Sequence, residues 1–83
     1  MRVTIRLFAR LRELTRDDEL AREVPAGATV ADVWAALARE FPALAPYGTT
    51  VSAAVNDDYA PMRRPVQDGD EVAFLPPVSG GAR

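Results

Sequence analysis

The chain has 83 residues, 48% of them hydrophobic, with 12 acidic and 10 basic side chains and a net charge of −2. This is enough for one small domain with one core, too apolar for disorder, and too acidic to favour nucleic acid or an anionic membrane as main partner. Every basic residue is arginine, and cysteine and histidine are absent, which removes disulfides, thiolate chemistry, cysteine-ligated metal and the commonest general base.

Residues 2–8 alternate. Val3, Ile5 and Leu7 point one way, Arg2, Thr4 and Arg6 the other, as in a half-buried strand. Residues 9–15 make about two helical turns with Leu11 and Leu14 on one side. Residues 19–24 read as a second, more charged strand with Leu20 and Val24 inward, followed by a turn at Pro25-Ala26-Gly27. The strongest helix comes next. Thr29 and Asp32 resemble a capping box, and Val30, Val33, Trp34, Leu37, Ala38 and Phe41 form one apolar stripe. Asp32 and Arg39 complement the helix dipole, and Pro42 ends the helix. Residues 43–50 read as loop. Residues 51–56 alternate again, with Val51, Ala53 and Val55 toward the core, before a turn at Asn56-Asp57-Asp58. Pro61 and Pro65 reduce residues 59–66 to an edge segment. Gln67-Asp68-Gly69-Asp70 is a tight turn in which Gly69 takes a positive φ. Residues 71–75 form the last strand, with Val72 and Phe74 inward.

This order predicts an α+β fold of the β-grasp type: a mixed sheet with one main helix packed on one face, the first and last strands side by side at its centre. Residues 1–77 are the expected folded domain and residues 78–83 a flexible tail. No stretch reaches transmembrane length, and the N-terminus enters a strand pattern instead of a signal-peptide core, so the expectation is a soluble, cytoplasmic protein.

Two features are candidates for function. Phe8 falls on the Arg2–Arg6 face and Leu75 on the Glu71–Ala73 face, so neighbouring first and last strands bring them together, away from the helix. Small Ala54 and Ala73 leave that face flat. Exposed apolar patches on small domains mark partner surfaces; the alternative is that both side chains turn back under a loop. The second feature is the end, Pro76-Pro77-Val78-Ser79-Gly80-Gly81. The prolines end the strand ladder and project the chain outward. Gly80 and Gly81, without Cβ atoms, admit close approach by another backbone and fit a narrow channel. From Pro77 to Gly81 an extended chain covers roughly 15 Å. The plain alternative is a frayed terminus.

Other residues have simpler explanations. Asp57, Asp58, Asp68 and Asp70 lack calcium-loop spacing and a bidentate glutamate, and belong to two turns. Arg63-Arg64 fits a solvated edge, Trp34 the helical core stripe, and Arg10, Arg12 and Arg16 a solvated short helix.

The run from Phe74 to Gly81, with Asp68-Gly69-Asp70-Glu71-Val72-Ala73 before it, resembles the C-terminal signature of the small, sulfur-carrying subunits of molybdopterin synthase. Phe8-Ala9, Leu11-Arg12-Glu13-Leu14 and Ala54-Val55-Asn56 are similar to other segments of that family, so the resemblance covers nearly the whole chain. It implies the ubiquitin-like β-grasp fold and a carrier function. An activating enzyme uses ATP to adenylate the terminal glycine carboxylate, here that of Gly81, and sulfur replaces AMP to give a thiocarboxylate. The tail then enters the large subunit, where sulfur passes to cyclic pyranopterin monophosphate. The resemblance implies that Phe8, Leu75, Pro76, Pro77, Val78 and Ser79 face the large subunit, with Gly80 and Gly81 at the reaction. No metal or bound cofactor is expected.

The family pattern stops at the second glycine, whereas here Ala82 and Arg83 follow. An internal Gly81 carbonyl is an amide and cannot be adenylated, so the expectation is a protease that removes Ala82-Arg83. Two alternatives are an extension foreign to the natural chain and a paralogue that carries no sulfur. Two further functional alternatives stand: a carrier for another acceptor (thiamine, cysteine or a tungsten cofactor), and a ubiquitin-like binding or conjugation module.

Overall fold

The computed structural model describes residues 1–77. Its five strands are β1 (Arg2–Leu7), β2 (Glu19–Glu23), β3 (Ser52–Val55), β4 (Asp58–Ala60) and β5 (Glu71–Leu75); its α-helices are α1 (Ala9–Thr15) and α2 (Val30–Glu40). The sheet order is β2-β1-β5-β3-β4. β1 and β5 run parallel, with Ile5 opposite Val72 and Leu7 opposite Phe74; every other pair is antiparallel. This is the mixed β-grasp sheet that the order of elements implies, with β1 and β5 adjacent.

One face of the sheet lies under α2. Val3, Ile5 and Leu7 of β1, Val72 and Phe74 of β5, and Ala53 and Val55 of β3 are buried against Val30, Val33, Trp34 and Leu37. Each fully buried large side chain contributes about 1.5–3 kcal/mol. Together they are the reason the 3.6-residue stripe on α2 and the two-residue alternation in the strands select this packing. The capping box forms as the sequence implies: Asp32 N–H donates to Thr29 Oγ1 at 3.2 Å, and Thr29 N–H donates to Asp32 Oδ2 at 2.9 Å. Residues 61–66 complete this end of α2, because Val30 N–H donates to Arg64 O and Ala31 N–H to Met62 O.

Several local expectations change. Residues 42–47, read as the stop and a loop, form a 3-10 helix, Pro42–Tyr47, and Leu44 within it is fully buried. Proline fits the first position of a helical turn because its missing N–H has no partner there, so Pro42 ends α2 and starts the next turn. β1 stops at Leu7, and Phe8 instead occupies the N-cap position of α1 in extended conformation. The turn between β3 and β4 is Asn56-Asp57 alone, at φ 51° and 74°, and Asp58 belongs to the strand. That is the left-handed two-residue turn whose twist matches a hairpin, and Asn and Asp tolerate it best after glycine. Val66, assigned to a broken edge, is buried and donates its N–H to Ala28 O. Gly69 takes φ +87° as expected and donates its N–H to Arg2 O at 2.8 Å, which ties the turn before β5 to the start of β1.

Candidate functional site

The sheet face opposite α2 carries no helix, and its composition follows from register. Arg6 lies opposite Ala73, Ala73 opposite Ala54, and Ala54 opposite Tyr59. One row therefore crosses four strands with two methyl groups at its centre. One step along, Leu75 lies opposite Ser52, and extending the β1–β5 register by one residue brings Phe8 level with Leu75. Among the described residues, Phe8 and Tyr59 are the large hydrophobic side chains left exposed, at 37% and 79%; Leu75 and Pro76 are half-buried and Pro77 is exposed.

The chain places Phe8 outward by a local backbone device. Ala9 has φ 53°, in the left-handed region that side chains with a Cβ disfavour. The chain therefore turns from strand into α1 directly after Phe8, and Leu11 N–H donates back to Phe8 O. The Arg6 guanidinium sits 5.5 Å from the Phe8 ring centroid, within the range of a cation–π contact. Arg6 also donates through Nη1 to Glu71 Oε2 at 3.1 Å. That hydrogen bond is the main cause of the raised pKa of Arg6. Arg6 Nε is buried without a hydrogen-bond partner, 3.9 Å from Glu19 Oε1.

Of the residues expected to contact a partner, the structure brings together Phe8, Leu75, Pro76 and Pro77 at one end of the open face. Val78, Ser79, Gly80 and Gly81, with Ala82-Arg83, lie outside the described residues. Tyr59 is the addition that sequence reasoning missed. The signal was present in the two-residue turn: counting pairs back from Asn56-Asp57 puts Tyr59 opposite Ala54 and therefore on the open face. Among the described residues no group of three or more acidic side chains is placed to hold a metal. Asp68 and Asp70 instead accept backbone hydrogen bonds, from Arg2 and Gln67 respectively. No helix among them is long and apolar enough to cross a membrane.

What this arrangement offers is a flat apolar face with ion pairs on one side and the root of the C-terminal segment at one end. A mixed sheet with its first and last strands parallel and adjacent, packed on one long helix, defines a ubiquitin-like β-grasp protein. The chain belongs to the ThiS family, whose model matches residues 5–81. It is 38% identical over 79 residues to the molybdopterin synthase sulfur carrier subunit of Arabidopsis thaliana, covering 95% of this chain and 82% of the relative. Among solved structures it is similar to the small archaeal modifier SAMP1 of Haloferax volcanii, with TM-score 0.86 and 31% identity over 98% of this chain and 100% of that one. The fold also matches a complex of subunits 1 and 2 of the molybdopterin-converting factor from Helicobacter pylori, at TM-score 0.68 and 24% identity over 98% and 100%.

Proposed function

We propose that this chain is the sulfur carrier of a molybdopterin synthase, acting through a thiocarboxylate at Gly81. The observation that carries the reading is positional. β5 is an interior strand of the sheet, and it ends at Leu75 beside the open face. The Pro76-to-Gly81 segment therefore starts where a partner seated on that face has its own surface.

The chemistry follows from the functional groups. Water first cleaves the Gly81–Ala82 peptide bond in a protease, freeing the Gly81 carboxylate and an Ala-Arg dipeptide. A carboxylate resists nucleophiles, so an activating enzyme exchanges it against ATP, releasing pyrophosphate and leaving acyl-AMP. Hydrosulfide from a sulfur donor attacks the acyl carbon and expels AMP, leaving the thiocarboxylate. In the large subunit that sulfur attacks cyclic pyranopterin monophosphate, water hydrolyses the resulting thioester and returns the carrier as carboxylate, and a second loaded carrier repeats the transfer to complete the dithiolene. The chain has neither histidine nor cysteine, so proton transfers fall to its partners. It supplies a covalent reactant and a docking surface.

The test is reconstitution with an activating enzyme, ATP and a sulfur donor, read by intact mass. The chain ending at Gly81 gains the mass of one sulfur in place of one oxygen, and then converts the pterin when the large subunit is added. The full 83-residue chain stays unloaded until a protease trims it. Loading of the untrimmed chain, or no loading of the trimmed one, overturns the proposal. The likeness to SAMP1 favours a second reading, a modifier that conjugates to other proteins. Amide-linked adducts on added protein, without sulfur delivery to the pterin, would select it.

A further inference from the structure

We infer that Arg6 is a positioning residue for docking: tethered to Glu71, its guanidinium lies against the Phe8 ring and holds that ring in the orientation a partner meets on the open sheet face. The inference rests on the proposed docking of that face to the large synthase subunit, and adds a residue whose part is played through Phe8.

Phe8 needs such a support. Side chains two apart on a strand share a face, and Phe8 keeps extended backbone angles, φ −123° and ψ 152°, although β1 stops at Leu7. Its ring therefore follows Arg6 on the side away from α2. Directly afterwards the chain leaves the sheet, because Ala9 takes φ 53°. A side chain that is 37% exposed at the end of a strand is not locked by core packing. Exposed side chains of this kind exchange rotamers quickly. Ordering one on binding subtracts from affinity, and ordering it beforehand avoids that loss.

Arg6 is fixed where Phe8 is not. It stands on the middle one of three strands, directly opposite Glu19 of β2 and Ala73 of β5. Ala73 carries only a methyl group, which leaves room beside it for a guanidinium. Nη1 donates to Glu71 Oε2 at 3.1 Å, a bond between ionised groups and therefore a strong one. Glu71 is itself held, since its N–H donates to Asn56 Oδ1 at 3.0 Å. The tether thus ends in the sheet interior. From this anchored position Cζ lies 5.5 Å from the Phe8 ring centroid.

One further detail shows what the side chain is aligned on. Arg6 Nε is buried without a hydrogen-bond partner, and Glu19 Oε1 stays 3.9 Å away. An unmet buried donor is costly. The guanidinium is therefore set on Glu71 and the ring, and not on Glu19, the carboxylate directly across the ladder. A cation–π contact at an exposed site is equivalent to about two- to fivefold in an equilibrium. That is enough to bias one rotamer and too little to decide the fold.

The experiment first reads Phe8 in the full chain alone. Three-bond couplings from its backbone N and C′ to Cγ report the χ1 rotamer. They are expected to show one rotamer in the native chain and an average in Arg6→Gln, with the α2 amide signals of Val33 and Trp34 in place. Calorimetric titration with the large synthase subunit then compares Arg6→Gln, Phe8→Ala and the double variant. Arg6→Gln weakens binding about two- to fivefold while Phe8 is present. It has no further effect once Phe8 is alanine, because residues that act as a unit are not additive. Native-like Phe8 couplings in Arg6→Gln overturn the proposal. So does an equal loss with and without the Phe8 ring, which is the mark of a direct contact from Arg6 to the partner. Unchanged affinity in Phe8→Ala alone is a different failure. It overturns the docking reading, and Arg6's part in it, while the couplings in the free chain keep their dependence on Arg6.

Discussion

The indole of Trp34, on α2, meets the ring of Phe74, on β5, edge-on: the centroids lie 5.0 Å apart with 62° between the planes. In this geometry the positive edge of one ring meets the negative face of the other, a preferred aromatic arrangement. The contact fastens the main helix to the strand that ends at the root of the C-terminal segment. It lies on the opposite side of the sheet from Phe8 and Tyr59, which separates what holds the fold from what is left for partners.

Phe74 is fully buried, so Phe74→Ala leaves a cavity beside Trp34 and costs about 3–5 kcal/mol. Thermal denaturation followed by Trp34 fluorescence measures it. A loss below about 1 kcal/mol would mean the ring contributes little to the core.

Phe8 is only partly covered, and its loss leaves the core intact. Phe8→Asp is expected to change stability by less than about 1 kcal/mol. On the proposed docking it weakens the complex with the large synthase subunit at least tenfold, about 1.4 kcal/mol or more. Calorimetric titration of the pair, with a melting curve of the variant alone, separates the two effects. Undiminished affinity would remove Phe8 from the docking face.

Ala9 pays for its left-handed φ of 53° with about 1 kcal/mol of steric strain. Ala9→Gly relieves that strain and loosens the unfolded chain, so stability stays level or rises by up to about 1 kcal/mol. Ala9→Val, β-branched at a position needing positive φ, lowers it by about 1–3 kcal/mol. Urea midpoints for the two variants should move in opposite directions or differ clearly.

Asp70 accepts from Asn56 Nδ2 at 3.0 Å and from Gln67 N–H at 2.8 Å. The Asn56 bond is the larger cause of a carboxyl pKa below the ordinary value. Glu40 is lowered likewise, chiefly by its hydrogen bond from Arg22. A carboxyl group depressed in the folded state stabilises it above the unfolded-state pKa, and that stability is lost as pH falls through the folded value. Acid unfolding of the native chain should therefore steepen below the normal carboxylate range. Asp70→Asn, which cannot titrate, should flatten that limb while lowering stability at neutral pH. Identical acid profiles for the two would show that the turn network does not contribute.

Much of this architecture was legible in the residues. Alternation in residues 2–7, 52–55 and 71–75 reported which side chains enter the core, because a strand's period is two. The stripe from Val30 to Phe41 and the Thr29–Asp32 cap located α2 to within a residue of its ends. The absence of cysteine, histidine and lysine was decided by composition alone. Other points were settled by pairing between distant segments. Leu44 looked like a loop residue and Val66 like part of a broken edge, because a single buried side chain has no period to reveal it. Tyr59 became part of a surface only when Ala54 and Ala73 were lined up beside it by register. The Arg22–Glu40 ion pair joins β2 to the end of α2 across 18 residues. Periodicity states which way a side chain faces; which strands are neighbours depends on how loops close and cores fill, and no local pattern encodes that.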